Sequence, residues 1–139
     1  MRVTVDIKVR GFHLDVYQHV NNARFLEFLE EARWEYYENV LRPHVSAYDD
    51  YVFTVVNINI NYRAPALLGD SLQVDCQLIK LKRRSMILHQ TIRNKQTNTI
   101  ITYADVTFVL VDPTRQRAIA IEDPQRGELQ ALLVNAQLD

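Results

Sequence analysis

Apolar and polar residues alternate along this chain with two distinct periods. Over residues 2–10 the period is two: Val3, Val5, Ile7 and Val9 fall on one side, as in a half-buried strand. Residues 11–21 show no period and read as a long loop. From about Asn22 the spacing lengthens to three and four. Leu26, Leu29, Ala32, Arg33, Tyr36, Tyr37 and Val40 make one stripe, and Glu27, Glu31, Glu35 and Glu38 take the other side. That pattern predicts an amphipathic helix of roughly five turns. Asn21 or Asn22 suits its N-cap, and Pro43 lies just past the expected end.

Period two then returns. Val56, Ile58, Ile60 and Tyr62 alternate with Asn57, Asn59 and Asn61. Pro65 and Gly69-Asp70 mark a turn, and Leu72, Val74, Cys76 and Leu78 alternate next. Lys82-Arg83-Arg84 falls at a hairpin bend before further strands over 86–93 and 100–111. A short strand over 118–121 follows, then a helix over 124–136 with Leu129, Leu132, Leu133 and Ala136 on one side. The helix at 22–41 can bury its stripe only against the sheet. The expected fold is therefore α+β: an antiparallel sheet wrapped around one long central helix, with residues 1–139 as a single domain. Its exposed outer edge predicts dimerisation by edge pairing.

Composition narrows the possibilities. The net charge of -1 gives no general electrostatic reason to bind nucleic acid. The one cysteine, Cys76, cannot form an intrachain disulfide, as suits a reducing compartment. The first eight residues alternate where a signal peptide would be apolar, and no run approaches the ~18 apolar residues of a membrane span. A cytoplasmic location is the expectation. With only three glycines, at 11, 69 and 127, the chain has few places for sharp reversals.

The chemistry concentrates in His13-Leu14-Asp15-Val16-Tyr17-Gln18-His19-Val20-Asn21-Asn22. Two His, one Asp and two Asn precede a helix, whose N-terminus presents unpaired N–H groups and partial positive charge. Such a terminus can polarise a carbonyl and stabilise the oxyanion formed on attack. A nearby carboxylate can attack that carbonyl or deprotonate a water, and a thioester suits both. The ordinary readings are a turn residue for Asp15, a loop histidine for His19 and caps for Asn21 and Asn22. His13, Asp15 and His19 lack the second ligand cluster of a metal site. No Gly-x-Ser-x-Gly elbow surrounds Ser46, Ser71 or Ser85, and Cys76 sits among apolar neighbours like a buried small hydrophobe.

Asp15 lies four residues before His19-Val20-Asn21-Asn22. That spacing resembles the signature of the 4-hydroxybenzoyl-CoA thioesterase family. The likeness extends from Val9 through Trp34 and returns in Val55-Val56-Asn57-Ile58-Asn59-Ile60-Asn61-Tyr62-Arg63-Ala64-Pro65-Ala66. It is strongest toward the family's long-chain acyl-CoA thioesterases. The resemblance implies a hot-dog fold, hydrolysis of fatty acyl-CoA, a site between two subunits, a homodimer or homotetramer, and no cofactor or metal. It maps the catalytic carboxylate onto Asp15 and the carbonyl-polarising N–H near Asn22, with His19 and Asn21 shaping the loop. Two positions depart from many members: His13 stands where an Asp is common, and Gln18 where a Gly is common.

On this reading the catalytic residues are Asp15, His19 and Asn22, and Asn21, Phe25, Asn57 and Arg63 bind substrate. Arg63 and Lys82–Arg84 could meet CoA phosphates or be solvated turns. Asn57 could touch substrate or face solvent or a second subunit. Phe25, Phe28, Leu29, Trp34 and Tyr37 could line an acyl tunnel or be ordinary core. Two rivals remain. An acyl-thioester hydratase or dehydratase would want a helix His beside Glu27, Glu30 or Glu31, and none is there. A non-catalytic acyl-CoA-binding module would keep the fold without turnover.

Overall fold

The long helix lies across one antiparallel sheet, which is the arrangement its apolar stripe demands. A computed structural model describes the backbone of residues 1–138 and the side chains of residues 1–133. Strand β1 (Arg2–Lys8) leads through the loop to α1 (Asn22–Tyr36). Then come a π-helical turn (Tyr37–Leu41), α2 (Arg42–Val45), and the strands β2 (Val52–Tyr62), β3 (Ser71–Leu81), β4 (Met86–Asn94), β5 (Ile100–Asp112) and β6 (Arg117–Ile119). Helix α3 (Gln125–Leu138) ends the chain. The strand order is β1-β3-β4-β5-β2, all antiparallel, with β6 pairing β5. This is the hot-dog arrangement expected. Among the described residues no helix is long and apolar enough to cross a membrane.

Helix α1 packs on β1 and β3, and α3 on β3. Leu72, Val74, Cys76 and Leu78 all point into the layer between and are fully buried. Burial of one such side chain contributes about 1.5–3 kcal/mol. Burial also pushes the Cys76 thiol far above its usual range, which keeps it protonated and inert.

The structure corrects three expectations. The buried stripe of the long helix is Phe25, Phe28, Leu29, Ala32 and Tyr36, continuing to Val40, whereas Leu26 is 38% exposed. Phe25-Leu26 and Phe28-Leu29 are adjacent apolar pairs, so periodicity alone fits two faces about 100° apart. The helical run does not stop before Pro43. The π-helical turn closes first, and Pro43 then falls within the first turn of α2, where no intrahelical N–H is needed. Few glycines do not mean few sharp reversals: Gln18 (φ 62°), Asn98 (φ 59°) and Gln116 (φ 53°) take the left-handed conformation themselves. Ala136, expected on the inner side of the last helix, lies outside the residues whose side chains are described.

Strand β2 forms an edge of the sheet. Val52, Val55 and Val56 stand exposed along it, an apolar border with unpaired backbone groups.

Candidate active site

The loop between β1 and α1 is a small antiparallel ribbon. Leu14 bridges Val20, the Asn21 N–H donates to the His13 carbonyl (2.9 Å), and the Asp15 N–H donates to the His19 carbonyl (2.9 Å). Asp15 therefore stands across from His19, and His13 across from Asn21. The reversal runs from Asp15 to Gln18, whose N–H donates to the Asp15 carbonyl (3.0 Å). The ribbon is tied to the segment before β3: His19 bridges Leu67, and the Val20 N–H donates to the Ala66 carbonyl (2.9 Å).

Asp15 is half-buried. Its Oδ1 accepts from the Tyr17 N–H (2.9 Å), so the carboxylate shapes its own turn. Among the described residues its Oδ2 has no partner and remains free to act. Asn21 is the N-cap of α1: its side chain accepts from the Ala23 N–H (2.9 Å), and its carbonyl accepts from the Arg24 N–H (2.8 Å). The Asn22 N–H, one residue before them, has no acceptor among the described residues. An unfilled donor at the positive end of a 15-residue helix is a ready place for an oxyanion.

His13 is held from both sides. Its Nδ1 accepts from the Arg10 N–H (2.9 Å), and its ring stands edge-on to Phe28 (5.0 Å). Desolvation lowers its pKa below the ordinary 6.5, and the nearby Arg24 and Arg10 charges push the same way against Glu27. The neutral ring is the form that accepts the Arg10 hydrogen bond. Among the described residues no group of three or more His, Cys, Asp or Glu is placed to hold a metal ion.

The other candidates separate. Asp15, His19, Asn21 and Asn22 are brought together in the ribbon and the helix start. Phe25 lies one turn further on and is buried against Phe28 (6.0 Å) and Tyr62 (5.9 Å). Arg63 follows the last residue of β2, and its guanidinium lies 6.0 Å from the Tyr103 ring centre. Asn57 stands five residues back along β2 from Tyr62, about 17 Å. It is paired with Thr107 at a bulge and alternates with the inward-facing Ile58, so one chain alone does not set it beside Asp15. Lys82–Arg84 form the β3–β4 bend, at the opposite end of the sheet from Ser71 and the ribbon.

Sequence reasoning missed Tyr62. Its hydroxyl donates to the Asn22 carbonyl (3.3 Å) and anchors the helix start to the edge strand. The available signal was a tyrosine closing the Asn/Ile alternation just before Arg63-Ala64-Pro65.

Residues 9–129 match the thioesterase-like superfamily. The chain is 49% identical over 127 residues to the long-chain acyl-CoA thioesterase FadM of Escherichia coli K12, covering 91% of this chain and 96% of that protein. Its fold superposes on the crystal structure of YbaW, a probable thioesterase from E. coli, with a TM-score of 0.83 and 48% identity, over 94% of this chain and 98% of that one. A thioesterase from Thermus thermophilus, crystallised with coenzyme A and zinc, superposes with a TM-score of 0.78 and 26% identity, over 94% and 93% of the two chains.

Proposed function

The chain belongs to the thioesterase-like superfamily and is a thioester hydrolase, and we propose that its substrates are long-chain fatty acyl-CoAs, cleaved to free fatty acid and CoA. The observation that carries the mechanism is the pair of unfilled groups in the ribbon: the Asp15 Oδ2 and the Asn22 N–H. The thioester carbonyl oxygen takes the Asn22 N–H, and the helix terminus stabilises the negative charge that develops there. Asp15 supplies the attack. As a base it deprotonates a water that adds to the carbonyl; as a nucleophile it forms a mixed anhydride that water then opens. In both routes the C–S bond breaks and CoA leaves as thiolate, which takes up a proton. His19 and Asn21 hold the two groups in register. Phe25 lies under the reacting end of the acyl chain, and Arg63 meets the CoA phosphates from the rim.

The working unit in this proposal is at least a homodimer, paired along β2. A second copy on that edge satisfies the unpaired backbone and covers Val52, Val55 and Val56. Asn57, midway along the same edge, then contributes to substrate binding from the paired strands. The enzyme acts as one domain in the cytoplasm.

The test is free-thiol release from acetyl-, benzoyl- and palmitoyl-CoA by wild type and Asp15→Asn. The proposal expects rates that rise with chain length and fall at least ~100-fold in the variant, the lower range for a lost acid–base group. Equal turnover by Asp15→Asn would sink the mechanism. Single turnover in ¹⁸O water separates the two routes, because only the anhydride route can place label in the Asp15 carboxylate.

A further inference from the structure

A cavity of about 460 Å³ opens between the second half of α1 and strand β2, away from the Asp15 ribbon. That volume lies within the range of about 300–1,000 Å³ typical of small-molecule sites. Trp34, Tyr37, Phe53 and Phe108 line it, and Val52 and Val55 of the β2 edge, which the proposed dimer covers, close one side. Arg33 shares the wall, with a side chain only 14% exposed.

The Arg33 guanidinium has donors to spare. One nitrogen donates to the Gln90 Oε1 (3.3 Å). Gln90 itself is fully buried and fixed, because its Nε2 donates to the Leu29 carbonyl (2.9 Å). Among the described residues the remaining polar contact is Glu30, 4.0 Å away and itself 64% exposed. A guanidinium carries five N–H donors in a planar fork. The remaining N–H groups face the water-accessible space of the cavity, and the group that best fills such a fork is a carboxylate. Burial accordingly pulls the Arg33 pKa below its ordinary value, although the group stays charged.

We propose that this cavity binds a carboxylate borne on an alkyl chain, with the carboxylate on the Arg33 fork and the chain along Trp34, Tyr37 and Phe53. Two sources supply that chemistry. One is the free fatty acid that hydrolysis releases. The other is the far end of an ω-carboxyacyl substrate, since Arg33 lies eleven residues beyond Asn22, about 16 Å along the helix axis. The inference rests on the thioesterase reading only for the origin of the ligand. Binding itself needs no turnover.

Trp34 is the only tryptophan and lines the cavity, so its fluorescence reports occupancy directly. The full chain is titrated with dodecanoate and with methyl dodecanoate, each below its micelle concentration. The acid is expected to give a saturable change, with the ester at least ~10-fold weaker, a difference of about 1.4 kcal/mol. Arg33→Met should bind acid and ester alike, and Glu30→Gln, which removes a competing carboxylate, should bind the acid more tightly. Equal affinity for acid and ester in wild type overturns the proposal, as does a preference retained in folded Arg33→Met. Should that variant fail to fold, Arg33→Lys keeps the charge without the fork, and an undiminished preference there overturns it equally. Hydrolysis of ω-carboxyacyl-CoA against plain acyl-CoA of equal length then assigns the source. Selectivity lost in Arg33→Met puts the carboxylate on the substrate; no selectivity beside intact dodecanoate binding puts it on the free acid.

Discussion

The Tyr62 hydroxyl donates to the Asn22 carbonyl across 3.3 Å, although the two residues stand 40 positions apart. It joins the end of the edge strand to the residue whose N–H is proposed to receive the thioester oxygen. Tyr62→Phe keeps the ring contact with Phe25 but removes the tether. It should cost about 0.5–1.5 kcal/mol in a denaturant melt, with kcat reduced more than KM is changed. A change in KM alone would show that the tether serves binding and not the helix start.

The N-cap offers a sharper separation of fold from chemistry. Asn21→Ala removes the acceptor of the Ala23 N–H and should cost about 1 kcal/mol of stability as well as activity. Asn21→Asp restores the cap and adds a charge that suits the helix terminus. That same charge opposes a developing oxyanion, so the melt should recover while kcat stays low. Recovery of both would reduce Asn21 to a cap and weaken the case for an oxyanion beside it.

Gln18 holds φ at 62° in the reversal that presents Asp15. For a residue with a Cβ this conformation costs roughly 1–2 kcal/mol, part of which glycine would return as extra freedom in the unfolded chain. Gln18→Gly should therefore stabilise by about 0.5–1 kcal/mol, or about 2–4 °C in a thermal melt. An unchanged or lower melting temperature would mean that the Gln18 side chain contributes contacts that offset its strain.

His13 sets a pH limit. Its folded pKa lies below the ordinary 6.5, so the stability it lends is fully present above that value. It is lost as pH falls through the lowered folded pKa, when the ring must charge and give up the Arg10 hydrogen bond. His13→Asn keeps an acceptor for that N–H and cannot titrate. Its melting temperature should fall less than that of wild type between pH 7.5 and 5. Parallel curves for the two proteins would place the acid sensitivity elsewhere.

The sheet was the most legible part of the sequence. Leu72, Val74, Cys76 and Leu78 alternate without interruption, and one face of a strand can be buried only that way. The helix was legible in length but not in rotation, because Phe25-Leu26 and Phe28-Leu29 present apolar side chains to two neighbouring directions. Arg33 already stood on the inner stripe by spacing. Its partner Gln90 did not reveal itself, since a polar residue at an inward strand position looks like a break in the pattern until the Leu29 carbonyl is seen above it. The loop that carries Asp15 stood out in the sequence by motif alone. Its tie to the sheet runs through Ala66 and Leu67, far along the chain and silent in composition.

A second tyrosine completes the anchoring of α1. At its last residue, the Tyr36 hydroxyl accepts from the Leu78 N–H (3.2 Å), beside the β3 bulge. Tyr36 and Tyr62 thus clamp the helix to the sheet at points fourteen residues apart, about 21 Å. Two hydrogen bonds that far apart oppose sliding and swivelling of the helix, so in the proposal the span from the Asn22 N–H to the Arg33 guanidinium serves as a gauge. On the carboxylate proposal chains are sorted by how far they reach along that gauge, and a substitution at Tyr36 is expected to shift which lengths fit.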